Sequence, residues 1–190
     1  YKLMSVYFEN FPTTIHTNKR VIDITRRVDF DRSILKDPYV FMPYVIKEEE
    51  KPEDIAYYYY DDVRFTWLVY FSVGLIDPYF QWPLSNRKFD EYIIDKYAEQ
   101  ANTTGYDVIS WTQNTNITDN ILHYENGDGD IISVDTYTLD DTLIEADWSP
   151  IRYYDYEFRK NEERRHIELV DVRYANQAEK ELKELLNNGL

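Results

Sequence analysis

Three histidines, thirty-six carboxylates and no cysteine are the raw material for chemistry in this 190-residue chain. His16, His123 and His166 lie far apart, no HExxH joins two of them, and without cysteine there is neither a thiolate nucleophile nor a thiolate metal site. No GxxxxGK[ST] phosphate loop, GxGxxG fingerprint or GxSxG elbow occurs. The adjacent acids Glu53-Asp54 and Asp61-Asp62 have the right type for a glycosidase dyad. Adjacent acids at a helix start, however, cap it and complement its dipole, and that is the role expected here. Glu125, Asp128 and Asp130 surround Asn126-Gly127-Asp128-Gly129, but the run lacks the twelve-residue ligand spacing and terminal Glu of a calcium loop. It predicts a hairpin turn instead. The chain is therefore expected to carry no catalytic site, no cofactor and no metal. The sequons at Asn102 and Asn116 matter only in a secreted protein, and residues 1–30 show no apolar signal core, so use without secretion is expected.

Composition narrows the function classes further. Twenty-one basic against 36 acidic residues leave a net charge of −15, which argues against a nucleic-acid partner, because phosphate binding needs clustered Lys and Arg. The absence of cysteine fits a reducing compartment. Nineteen tyrosines, nine phenylalanines and four tryptophans on an acidic chain point to a protein that docks, since Tyr covers wide area with few rotatable bonds. Strand propensity accounts for part of the tyrosine content.

These side chains need elements to position them, and the densest apolar stretch, Pro52 to Pro83, organises the rest. Pro52 suits a first helical turn, which should run to Tyr60; Asp61 or Asp62 can cap a second helix, and Gly74 can end it near Val73. In that second helix Val63, Trp67, Tyr70 and Phe71 share one face, and Phe65, Leu68, Val69 and Ser72 the opposite one. A helix apolar all round is buried or spans a membrane. Thr66, Ser72 and Gly74 interrupt the run well short of a span, so no membrane is expected. Asp77-Pro78 predicts a turn that displays Tyr79, Phe80 and Trp82.

Around this stretch, residues 1–38 read as an extended arm with one short strand near Arg20 to Thr25. Tyr39 to Lys47 reads as a strand that Pro43 restricts to an edge or bulge. Ser85 to Gln100 predicts an amphipathic helix with Phe89, Ile93, Ile94 and Tyr97 inward, ended at Asn102 to Gly105. Tyr106 to Trp111 and Asn120 to Tyr137 read as strands, the second folded at the Asn126-Gly127 turn. Leu139 to Pro150 is an acidic connector, and Ile151 to Lys160 reads as a strand with Tyr154, Tyr156 and Phe158 on one face, turned at Asn161-Glu162 into Arg165 to Val170. Tyr174, Ala178, Leu182, Leu185 and Leu186 form a helical stripe closed by Gly189.

Strand, two short helices and a return segment over about 45 residues resemble a LysM module, a fold often used on N-acetylglucosamine polymers. More particularly, the segment holding Pro52, Glu53, Asp54, Tyr60, Trp67, Asp77, Pro78, Tyr79, Phe80 and Trp82 resembles the LysM-like part of a baseplate wedge subunit of contractile-tailed, T-even-like bacteriophages. Downstream, Tyr154, Asn161, Glu162 and Arg165 match that family's C-terminal hairpin pattern. The likeness covers most of residues 40–190.

The expected fold is α+β: after the extended arm over 1–38 read from the residues, the resemblance implies a LysM-like βααβ unit over 39–85 and a family-specific part over 86–190 with antiparallel hairpins and a C-terminal helix. The resemblance also implies a structural subunit of the virion tail baseplate, assembled in the host cytoplasm. Its partners would be other wedge proteins in a six-fold assembly, in which it helps join adjacent wedges around the hub. Trp67, Tyr70, Phe71, Tyr79, Phe80 and Trp82 are the expected contact residues. The alternative is a LysM-type module on peptidoglycan, with the sugar held by Lys47 to Lys51 and Gly74 to Trp82. Glu-Glu-Lys-Pro stands where LysM loops carry Gly-Asp-Thr, which weighs against that use.

Overall fold

The computed structural model describes residues 8, 10–25, 40–75, 77, 81–139 and 147–187. In chain order its elements are β1 (Thr13–His16), β2 (Lys19–Ile22), β3 (Phe41–Val45), α1 (Pro52–Tyr60), a 3-10 turn (Val63–Phe65), α2 (Thr66–Val73), α3 (Asn86–Ala101), α4 (Tyr106–Gln113), β4 (Ile121–Asn126), β5 (Ile131–Ile132), α5 (Val134–Leu139), β6 (Trp148–Arg152), α6 (Tyr153–Glu163), β7 (His166–Val170), a second 3-10 turn (Val172–Tyr174) and α7 (Ala175–Asn187). Helices and antiparallel strands mix along the chain, the α+β class that the sequence predicts. Two units divide it: Tyr1–Trp82 with Arg165–Leu190, and Pro83–Arg164.

In the first unit the helix boundaries follow local chemistry. Pro52 opens α1, and the Asp54 carboxylate accepts the Lys51 N–H at 3.0 Å, satisfying a donor that the first turn leaves free. Asp62 caps the 3-10 turn by accepting the Arg64 N–H at 2.8 Å, and Gly74, at φ +64°, ends α2 in the left-handed conformation. Both ends fall where the sequence places them. The strand β3 pairs antiparallel with β7, Phe41 opposite Val170 and Val45 opposite His166. Among the described residues its ladder partner thus comes from the far end of the chain, while much of the return segment expected before residue 85 lies outside the described residues. β7 offers an alternating apolar face: Ile167, Leu169 and Val170 are buried while His166 and Glu168 face out. Pro43 is tolerated because, among the described residues, β3 pairs on one edge only.

One core holds this unit together. Ile55, Ala56, Leu68, Val69, Leu169 and Leu186 are buried in it, with Leu182 of α7 alongside. Leu185, on the predicted stripe, is instead exposed, and Gly189 lies outside the described residues. Two hydroxyls stitch helices to β7: Tyr60 Oη donates to the Val170 carbonyl at 2.7 Å, and Ser72 Oγ accepts the Val170 N–H at 3.2 Å. Ahead of this core stands a hairpin, β1 paired antiparallel with β2, where the sequence suggests a single strand near Arg20 to Thr25. Thr17 and Asn18 make the turn at φ +48° and +59°, a region that a β-branched residue rarely enters, so nothing in the sequence advertises it. Arg26-Arg27 and Asp37-Pro38 lie outside the described residues.

In the second unit α3 runs as its period predicts, buries Phe89, Ile93 and Tyr97, and stops at Asn102 in the left-handed region. Two strand assignments fail and a third holds in part. Tyr106–Gln113 is the helix α4, in which Val108 and Thr112, one turn apart, are buried; packing against α3 outweighs the β-branched and aromatic content. The hairpin at Asn126-Gly127 forms, but it is short, because Ser133 Oγ accepts the Thr136 N–H at 3.2 Å and starts α5 where more strand was expected. Tyr153–Glu163 is the helix α6, so Tyr154 and Phe158 stack at 6.1 Å one turn apart while Tyr156 turns toward His123. The predicted C-terminal hairpin is therefore a helix followed by β7. Trp148–Pro150, read as connector, belongs to β6, which completes the sheet order β5-β4-β6.

Candidate interaction surface

Of the predicted contact residues that are described, one is buried and three are half-buried. Trp67 is only 7% exposed and belongs to the first unit's core, with the Phe71 ring edge-on to it at 5.5 Å. Tyr70, Phe71 and Trp82 are half-buried, and Phe71 and Trp82 pack against that same core. Tyr79 and Phe80 lie outside the described residues. The Trp82 indole Nε1 donates to the Glu50 carbonyl at 2.9 Å, which fixes its ring against the loop between β3 and α1.

That loop is unusually well held. The Ile46 N–H donates to the Arg165 carbonyl at 2.9 Å, and the Arg165 guanidinium, itself buried, reaches Glu48 at 2.9 Å. Glu50 accepts the Tyr44 hydroxyl at 2.8 Å and the Lys47 N–H at 2.9 Å. Burial, then the hydrogen bond to Glu50 and its charge, pushes the Tyr44 phenol well above its ordinary pKa, so it stays a donor. A loop fixed at both ends presents its neighbours with little entropy left to lose on binding.

Sequence reasoning missed other exposed apolar groups. Tyr58 is 75% exposed on α1 with Tyr57 edge-on beside it, while Tyr60 points inward and its phenol is raised chiefly by burial. Four tyrosines in a row conceal this division; only the helical spacing from the buried Ile55 and Ala56 separates them. Met42 and Val45 of β3 are exposed too, and so are Ile15, Val21, Ile22 and Ile24 in and after the hairpin.

In the second unit the ionised groups bind one another. Burial alone would raise Glu157, but Lys96 at 2.6 Å, Tyr97 at 2.9 Å and Tyr92 at 3.1 Å outweigh it and keep the carboxyl below its usual value. The bidentate Arg159 and then His123 draw Glu125 down to about 2. Carboxylates held ionised accept hydrogen bonds and do not serve as proton donors near neutral pH. Their chemistry here is to tie helices and strands together: Glu157 joins α6 to α3, and Glu125 joins β4 to α6. Among the described residues no group of three or more metal-ligating side chains converges, and no helix is long and apolar enough to cross a membrane.

A protein-family model described as Base plate wedge protein 53 matches residues 7–178, which take in the hairpin, the second unit and the first unit as far as the start of α7. No curated protein matches the chain.

Proposed function

Because the chain belongs to the base plate wedge protein 53 family, and so is a structural component of the phage tail base plate in the virion, we propose that it docks to other wedge proteins and helps join adjacent wedges around the hub of a six-fold base plate. A wedge protein assembles with other base plate proteins; which surface does so here is part of the proposal. The observation that carries the reading is the extent of the family match, residues 7–178. The half-buried aromatic group supports it: Tyr70, Phe71 and Trp82 are the proposed contact residues, with the buried Trp67 ring against Phe71; Tyr79 and Phe80, proposed with them from the sequence, lie outside the described residues. We take β3, α1, α2 and β7 as the LysM-like βααβ unit. The antiparallel pairing of β3 with β7 and the two intervening helices packed on one core support that assignment.

Wedge joining is tested with Trp82→Ala, which removes the ring and its bond to Glu50 at a half-buried site. Wedges assembled with the wild-type chain are expected to close into base plates. With the variant, closure is expected to fall about tenfold or more, while the free protein keeps its helical circular dichroism. Closure at the wild-type yield would remove Trp82 from the contact surface. A wild-type chain that pellets with peptidoglycan and stays out of wedges would overturn the structural reading.

A further inference from the structure

We propose that the β1–β2 hairpin is a basic peg that seats in an acidic, apolar-floored groove on a neighbouring base plate protein; this rests on the wedge reading above. All eight ladder residues of the hairpin are exposed, Ile15 at 77%, and Ile24 just beyond it at 65%. An isolated two-stranded hairpin is marginal in water, so one that shows apolar side chains on both faces calls for a cover. The register shows what the cover must fit. Thr13, Ile15, Arg20 and Ile22 share one face, and Thr14, His16, Lys19 and Val21 the other.

The attachment to the body leaves the peg free to reach outward. Phe11 is buried in the core just before β1, its ring 5.5 Å from that of Phe8, and the Asp23 N–H donates to the Pro12 carbonyl at 2.8 Å to close the base of the hairpin. The tip carries Lys19 and Arg20, and no carboxylate among the described residues pairs with either. Asp23, the nearby acid, instead holds Thr25 through its N–H at 3.1 Å and its hydroxyl at 2.6 Å. Two uncommitted cations beside exposed isoleucines, on a chain of net charge −15, complement an acidic rim around an apolar floor. A second copy of this chain fits less well, since two bodies of that charge repel as they approach.

The experiment compares the full chain with two double variants, Lys19→Glu/Arg20→Glu and Ile15→Ser/Ile24→Ser, for uptake into wedges assembled from the other base plate proteins, measured by sedimentation. Both variants lie outside the core, so unchanged circular dichroism and melting of the free chain verify the fold. Each pair is expected to lower uptake by about tenfold or more, and wild-type uptake is expected to weaken as salt rises from about 50 to about 300 mM. Wild-type-like uptake by both variants overturns the peg and leaves the wedge reading standing. A wild-type chain that never enters wedges overturns both. Loss of a dimer of the free chain, with wedge uptake intact, makes a second copy the occupant and overturns the proposal.

Discussion

At the scale of single residues, Glu125 shows most clearly how charge is used. Arg159 grips both its oxygens, at 2.6 and 2.7 Å, and His123 adds a contact at 2.9 Å, so its folded pKa falls from 4.5 to about 2. A depressed carboxylate stabilises the fold above its unfolded pKa, and that contribution fades as pH drops through the interval between the two values. Glu125→Gln should therefore lower the melting temperature at pH 7 and make little difference near pH 2. The cost at pH 7 should be about 1 kcal/mol, no more, because Arg159 is half-exposed and screened. Melting curves of the two proteins between about pH 7 and about pH 2 test this, and a gap that stays constant to the acid end would refute it. Wild-type protein will still lose stability in acid, since Asp62, Asp171 and Glu157 are depressed as well.

At the scale of elements, a single hydroxyl joins two segments that are remote in sequence. Tyr60, in the last turn of α1, donates to the carbonyl of Val170 at the end of β7, and both residues are buried. Tyr60→Phe keeps the ring and removes the bond, which should cost about 1–2 kcal/mol because the carbonyl loses a buried donor. Urea unfolding would show a lower midpoint at unchanged slope; an unchanged midpoint would mean that the ring alone holds the helix. This pair also marks where the sequence stops being readable. Pro52, Asp62, Gly74 and Asn102 set helix ends by local backbone chemistry, so those boundaries could be read directly. The pairing of Phe41 with Val170 is non-local, and no local signal announces it. Helices α4 and α6 were hidden for another reason: Val108, Ile109, Tyr154 and Tyr156 favour strands, and burial against neighbours reverses the preference. The exposure of Tyr58 and of the hairpin could not be read in the sequence, because it depends on the finished fold.

At the scale of the molecule, the second unit is inserted between α2 and β7 of the first. The two cut ends of the first unit meet the same loop. Trp82 donates to the Glu50 carbonyl, while Arg165 accepts from Ile46 and pairs with Glu48. Within the second unit the two ends also meet: the Asn161 amide accepts the Leu84 N–H at 2.7 Å and donates to the Leu84 carbonyl at 3.0 Å. A segment whose ends are clamped together in this way costs the host little loop-closure entropy, because the host's own ends are already close. Replacing Pro83–Arg164 with a short Gly-Ser linker should thus leave a chain in which β3 still pairs with β7. Backbone amide exchange is the sensitive reading: the amides of Val170 and Ile46, which bond Ser72 Oγ and the Arg165 carbonyl, should remain protected. If they exchange freely while residues 83–164 produced alone fold cooperatively, the first unit depends on its insertion, and the closeness of its ends is a consequence of the inserted unit rather than a property of the host.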